Sequence, residues 1–371
     1  MKSMTSYMMA ASVVAILGAS AFETAAQEFS FSSQTPQTER EEVREKETMK
    51  KVTLISTGGT IAMTRDPVTG GLVPALSGEE LARAAGVPET VSVKTIVFSN
   101  IPSEYMTPAM MLALSKTAEE AAKETDGIVI THGTDTMEET AYFLSLVLKT
   151  DIPVVMTGAM KGASEENADG PGNLALAMCV AQDEEARGRG VLVCMNGNIF
   201  DARHVSKKHT TAVAAFDAGE YGAAAREEDG KLIWREKEIK KGYLSPVQMG
   251  NRVWIVTCGA GTDGDILRAA LHEKVDGIVI EALGCGNVPE SIARGIPALI
   301  AAGIPVIITA RIGEGGVKKE YDGIGGLGAL VLAGCIPGGT LSGHKARILL
   351  MTALGSGKNQ REISEIFQKE A

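Results

Sequence analysis

Short apolar runs alternating with helix-length segments constrain this chain more than any other feature. Val52–Thr57, Val91–Phe98, Gly127–Thr131, Pro153–Thr157 and Val191–Met195 are strand-length and rich in β-branched residues. Between them fall helix-like segments. Leu81–Ala85 follows a capping box, Ser77-Gly-Glu-Glu80; a segment from Thr107 to Lys123 carries Pro108 in its first turn; residues 135–149 open with Asp135, Glu138 and Glu139; Asn173–Glu185 is the next. Runs that are apolar at successive positions suit strands covered on both faces, as in a parallel sheet. Asp201–Trp234 breaks the rhythm, and its short mixed-polarity segments predict an antiparallel extension or a hairpin. Alternation resumes with strands at Val253–Thr257, Gly277–Ala282 and Pro305–Ala310, and helices at Asp265–Glu273, Glu290–Ala302, Lys345–Leu354 and Gln360–Gln368. The expected architecture is α/β in two domains. A larger N-terminal domain (51–234) has a mainly parallel sheet with helices on both faces. A linker (235–250) leads to a smaller C-terminal domain (251–371) with a flavodoxin-like parallel sheet. The 42 glycines against eight phenylalanines fit many tight strand-to-helix turns.

The first 26 residues read as an export signal. Lys2 precedes an apolar stretch, Met8–Ala21, and small residues offer cleavage after Ala21 or after Ala26. Residues 27–50 read as a solvated, disordered tether. The expected location is therefore the periplasm, with no membrane segment in the mature form. A net charge of −10 with only isolated lysine pairs, Lys207-Lys208 and Lys240-Lys241, argues against nucleic acid and anionic membranes as partners. Five widely spaced cysteines form no CxxC and do not read as a disulfide framework. Cys179, Cys194 and Cys258 sit in or beside apolar segments and read as small buried hydrophobes. Five histidines include no HExxH and no zinc-type spacing with cysteine, so no metal site is expected.

Polar clusters fall at strand ends: Thr57-Gly-Gly-Thr60, Thr131-His-Gly-Thr-Asp135, and Asp201-Ala-Arg-His-Val-Ser-Lys207. Ligands of open α/β sheets bind at carboxyl strand ends, and strands pointing one way can bring the first two clusters together. Spacing alone does not bring Lys207 to them. Gly58 and Gly59 let backbone approach a ligand and present amide donors; a plain tight turn is the alternative. The dinucleotide fingerprint GxGxxG and the phosphate-loop GxxxxGK are both absent there. A threonine hydroxyl needs a base to become a nucleophile, a lysine can be that base, and a carboxylate can orient it. Thr134, Lys207 and Asp135 have those types, although a solvated surface lysine is the ordinary reading of Lys207.

Together these residues resemble bacterial L-asparaginases of the exported type, the asparaginase/glutaminase family of homotetrameric amidohydrolases. Thr57-Gly-Gly-Thr-Ile-Ala62 is similar to the family's first signature, and Thr131-His-Gly-Thr-Asp-Thr-Met-Glu-Glu-Thr140 to its second. Pro153–Met160, Asn167–Asn173 and Lys345–Met351 resemble further blocks. The resemblance implies Thr60 as first nucleophile, and Thr134 with Lys207 and Asp135 as a second hydroxyl system. It implies Gly59, Ser103, Glu104, Thr134, Asp135, Ala159, Asn287 and Glu320 as substrate-binding residues. Ser103 would hold the substrate α-carboxylate and Asp135 the α-ammonium, and Ala159 would offer its carbonyl to the leaving amide. Asn287 would come from a neighbouring subunit of a tetramer built from dimers, with Glu314 and Glu320 competing for a second such part.

Departures from the family accompany the likeness. The loop Thr64–Ser77 lacks the usual tyrosine, and Leu72 stands near its position. Glu104 replaces a common glutamine, which should alter the asparagine-to-glutamine preference. Ala122 and Thr150 stand where some relatives have a disulfide. The expected activity is hydrolysis of L-asparagine to L-aspartate and ammonia through an acyl-enzyme, with glutaminase side activity and no cofactor. A periplasmic solute-binding protein is the rival of another class: it would share the leader and two α/β domains, but binding does not require Thr60 paired with Thr134, Asp135 and Lys207.

Overall fold

The computed structural model describes residues 49–65, 69, 72–74, 80, 86, 90–240 and 242–370. The expected leader, nearly all of the expected tether and the expected helix at 81–85 lie outside them. By internal packing the chain divides into two compact units. The first comprises residues up to Thr107 with Leu114–Ala141 and Leu148–Gly242; the second comprises Pro108–Ala113, Tyr142–Val147 and Tyr243 onward.

Among the described residues the first unit holds β1 (Lys50–Gly58), a hairpin of β2 (Met63–Arg65) and β3 (Leu72–Pro74), and β4 (Val91–Ile101). β5 (Gly127–Thr131), β6 (Val154–Thr157), β7 (Val191–Met195) and β8 (Asn198–Asp201) follow, with a two-residue pair, β9 (Ser206–Lys207) and β10 (Phe216–Asp217). β11 (Ala225–Glu228) and β12 (Lys231–Trp234) close the unit. The main sheet has the order β12-β11-β8-β7-β6-β5-β1-β4. β4 through β7 run parallel, whereas β8, β11 and β12 attach antiparallel. The antiparallel extension expected within 201–234 is therefore present, and it starts with β8 at Asn198. β5, β6 and β7 are buried at every residue. Val129, Val155 and Leu192 enter one core cluster with Leu174 and Ala177. Ile128, Ile130, Met156 and Val193 alternate with them and are equally buried. Both faces are covered, which is why these runs are apolar throughout.

Among the described residues the sheet is accompanied by α1 (Pro108–Ala121), α2 (Met137–Val147) and α3 (Gly170–Val180). α2 starts two residues later than the sequence suggests, because Asp135 and Thr136 are held by Ser103 instead. The Asp135 amide donates to Ser103 Oγ at 3.1 Å, and the Thr136 hydroxyl donates to the Ser103 carbonyl at 2.7 Å. α3 begins earlier than expected, with a proline in its first turn, and stops at Val180. There Asp183 caps a separate turn by accepting the Glu185 amide at 2.8 Å, a local bond that competes with helix continuation.

The second unit carries the parallel sheet β13-β14-β15-β16: Val253–Thr257, Gly277–Ala282, Val306–Ala310 and Ile336–Pro337. Its helices are α4 (Asp265–His272), α5 (Glu290–Ala301), α6 (Leu327–Leu332), α7 (Gly343–Gly355) and α8 (Gln360–Glu370). Leu267, Ile292, Ile296 and Leu327 pack with Ile278, Ile280 and Ile308 in one cluster. α7 packs against β13, β14 and β15. The outcome is the expected mixed α/β protein, with a large, mostly parallel N-terminal sheet and a separate all-parallel C-terminal one.

Arg189 fastens the antiparallel edge of the first sheet. It is 6% exposed, and its guanidinium donates to the carbonyls of Glu185 (2.7 Å), Arg235 (3.0 Å) and Glu236 (3.3 Å). Its carbon lies 4.5 Å from the centre of the Trp234 ring. Arg189→Leu strips donors from these carbonyls, and should cost about 3 kcal/mol in urea unfolding followed by tryptophan emission.

Candidate active site

β1, β5 and β6 are neighbours, and Ser56, Thr131 and Thr157 lie in register across them. β1 runs two residues further, to Gly58, and the turns that follow, beginning at Gly59, His132 and Gly158, emerge side by side. Gly58 and Gly59 take φ of 102° and 85°, left-handed values that other residues rarely adopt. A Cβ on Gly59 would lie 2.4 Å from the Gly133 nitrogen, and one on Gly133 would lie 2.7 Å from Ser103 Oγ. Glycine is thus required where the β1 and β5 turns and Ser103 meet. The amide of Gly59 donates to Ile101 O at 3.2 Å. What Gly59 contributes to this junction is close backbone approach. Thr60 follows at once, half-buried, at the start of a short 3₁₀ turn whose Ile61 and Ala62 are buried.

Lys207 reaches this place from the β9–β10 ribbon, where it pairs with Phe216. Its Nζ donates to Thr134 Oγ1 at 2.8 Å and to Asp135 Oδ1 at 2.6 Å. Thr134 is 7% exposed. The Lys207 side chain is 16% exposed and that of Asp135 is 63% exposed. A hydroxyl, an amine and a carboxylate in contact have the composition needed to move a proton at an acyl centre.

Around this triad, Ser103 is 4% exposed and fixed to the turn through Asp135 and Thr136, while Glu104 beside it is exposed. Ala159 is buried on the β6 turn. Asn173 Nδ2 donates to the Gly158 carbonyl at 3.0 Å, and Asp169 accepts the amides of Met160 (3.0 Å) and Lys161 (2.9 Å). Thr60, Thr134, Asp135, Lys207, Gly59, Ser103, Glu104 and Ala159 thus all belong to the first unit. Asn287 and Glu320 belong to the second. Asn287 is half-buried and bonds Leu283 through its backbone; Glu314 and Glu320 are exposed. Most of the loop Thr64–Ser77 lies outside the described residues, and Leu72 pairs with Arg65 in the β2–β3 hairpin. Sequence reading gave no role to His132, Thr136, Glu138, Asp169 or Asn173. All lie inside the blocks that carry the resemblance, and that was the available signal.

His132 is fully buried beneath the turn. Nδ1 lies 2.8 Å from the Gly133 carbonyl and Nε2 lies 3.1 Å from Thr140 Oγ1. A carbonyl only accepts, so Nδ1 carries the hydrogen and Nε2 accepts from the Thr140 hydroxyl. Burial pushes its pKa from 6.5 down to about 4. Among the described residues no group of three or more His, Cys, Asp or Glu side chains could hold a metal. Cys194 and Cys258 are buried, as expected, whereas Cys179 is partly exposed. Burial raises all three thiols, Cys258 to about 11.

Comparison with known proteins identifies the family. Residues 51–240 match the family model described as asparaginase, N-terminal, and residues 252–367 match the glutaminase/asparaginase C-terminal domain. The chain is 40% identical over 322 residues to a probable L-asparaginase of Deinococcus radiodurans, covering 86% of this chain and 97% of that one. It is 35% identical over 331 residues to a probable periplasmic L-asparaginase of Haemophilus influenzae, covering 86% and 93%. Among solved structures, a probable cytoplasmic L-asparaginase from Campylobacter jejuni superposes with a TM-score of 0.76 at 31% identity, covering 86% of this chain and 99% of that one.

The low pKa of His132 gives stability a pH dependence. Below pH 6.5 the unfolded chain binds a proton that the folded chain refuses until about pH 4. Stability is therefore intact above 6.5 and falls as pH drops toward 4, by roughly 3 kcal/mol over the window. Denaturant melts at pH 7 and pH 4 should show His132→Gln losing less stability than the parent by about that amount.

Proposed function

The chain belongs to the glutaminase/asparaginase family, and we propose that it hydrolyses the side-chain amide of L-asparagine through a threonine nucleophile and an acyl-enzyme. L-Glutamine is a secondary substrate. One observation carries the reading: Lys207 Nζ touches both Thr134 Oγ1 and Asp135 Oδ1, beside the Gly59–Gly133 contact that precedes Thr60.

Thr60 Oγ attacks the carboxamide carbon, and its proton passes to the Thr134–Lys207 pair. Collapse of the tetrahedral intermediate breaks the C–N bond as that proton reaches the nitrogen. Ammonia leaves, and the acyl group stays on Thr60 as an ester. A water held at the Thr134 hydroxyl then gives its proton to the Lys207 amine and attacks the ester. The C–O bond to Thr60 breaks, the threonine regains a proton, and aspartate departs. Ser103 uses a lone pair on the Asp135 amide, so its hydroxyl hydrogen can donate to the substrate α-carboxylate. Asp135, largely exposed, has a second oxygen for the α-ammonium. The Ala159 carbonyl receives the leaving amide hydrogens. Glu104 adds negative charge near the ammonium and biases the choice between asparagine and glutamine. Asn287, with Glu320 or its competitor Glu314, acts in the site of a neighbouring subunit of a homotetramer, and the amino terminus directs export to the periplasm.

Thr60→Ala, Thr134→Ala and Lys207→Met should each lower kcat for ammonia release from asparagine by about 10²–10⁴. Full rate in both threonine variants would falsify the assignment. The same assay with glutamine gives the preference.

A further inference from the structure

Lys207 stands on a ribbon that is not part of the main sheet. Among the described residues β9 pairs with β10 alone, in a two-stranded sheet of its own. A lysine side chain is long and flexible, so contacts at its tip do not fix where its backbone lies. The backbone needs its own tie to the element that carries Thr134.

Glu138 supplies one. It lies four residues beyond Thr134, in the first turn of α2, and is 6% exposed. Its Oε1 accepts the Lys207 backbone amide at 3.2 Å, across 69 residues of sequence. Lys207 is thereby held at both ends: its amide by Glu138, and its Nζ by Thr134 and Asp135. All three partners come from one short stretch, Thr134–Glu138. An acidic residue at a helix start is favourable in any case, but that benefit does not require burial or an amide from a remote strand.

We propose that Glu138 is a positioning residue that sets the distance between the Lys207 amine and the Thr134 hydroxyl. The inference rests on the reading of Lys207 as proton acceptor. Loss of the tie frees the ribbon backbone, and displacements of about an ångström at a reacting group can cost up to about a hundredfold in rate. The effect should fall on kcat, because Glu138 is no part of the pocket that binds the α-carboxylate or α-ammonium.

The test compares Glu138→Ala, which removes the acceptor, with Glu138→Gln, which keeps an acceptor of equal reach, and with Lys207→Met. Steady-state ammonia release from asparagine is the readout. Glu138→Ala should lower kcat about tenfold or more with KM shifted less than about twofold, and Glu138→Gln should recover most of that loss. Unchanged kcat in Glu138→Ala, with Lys207→Met inactive, overturns the positioning role and leaves the proposed reaction standing. Equal losses in Glu138→Ala and Glu138→Gln overturn it too, since the amide acceptor would then be irrelevant. Full activity in Lys207→Met sinks the underlying reading instead. Should Glu138→Ala not fold, Glu138→Asp takes its place: it withdraws the acceptor by one methylene, and undiminished kcat there counts against the proposal.

Discussion

In-register parallel pairing of β5 with β1 on one side and β6 on the other is the constraint on which the site depends. Ser56, Thr131 and Thr157 sit at one level, so the strand ends just beyond them open at the same edge. A slip of one residue would reverse the face of every side chain on the shifted strand. Here it would expose one apolar set, move the β1 turn away from Gly133, and separate Thr60 from Thr134 along the sheet edge. Hydrophobic burial on both faces therefore sets register, and register sets the chemistry.

Not every polar residue at these strand ends serves the reaction. The Thr57 hydroxyl donates to Thr131 O at 2.8 Å, Ser99 donates to Thr57 O at 2.9 Å, and Thr157 donates to Cys194 O at 2.8 Å. Each supplies a donor to a carbonyl near the end of a strand ladder, in a place where an unpaired carbonyl would cost stability. The signature around Thr57–Thr60 thus has two threonines with different work. The first is buried and tied to the neighbouring strand; the second lies beyond the two left-handed glycines, half-exposed at the turn. His132 belongs with the first kind, since its ring joins the turn carbonyl to α2 as a neutral spacer.

Much of this was readable from sequence because local physics dictates it. Gly127–Thr131 and Val191–Met195 are strands with the expected bounds, since a continuous β-branched run buried on both faces has few other options. Thr134 and Asp135 follow such a strand directly, so their place at the sheet edge could be read off. Lys207 could not be placed that way. Its position depends on a ribbon joined through bonds to residues about seventy positions earlier, and hydrophobic periodicity carries no record of such bonds. The start of α2 was missed for a related reason. Asp135 and Thr136 are good helix openers in isolation, and Ser103, remote in sequence, claims them.

Two carboxylates three residues apart, Asp135 before α2 and Glu138 within it, divide the handling of Lys207 by their surroundings. Asp135 is exposed, so solvent screens its pair with Lys207 Nζ and reaches the carboxylate. Glu138 is buried, and burying an unpaired carboxylate is costly unless donors satisfy it. The Lys207 amide is such a donor, and the cost of misplacing it gives the contact its specificity. Exchanging the two environments would reverse this: a buried partner at Nζ would grip the amine and be lost to substrate, while an exposed partner at the amide would compete with water for the ribbon. The arrangement observed therefore joins a fixed Lys207 backbone to a solvent-accessible carboxylate at its Nζ, which suits the proton-accepting role proposed for Lys207.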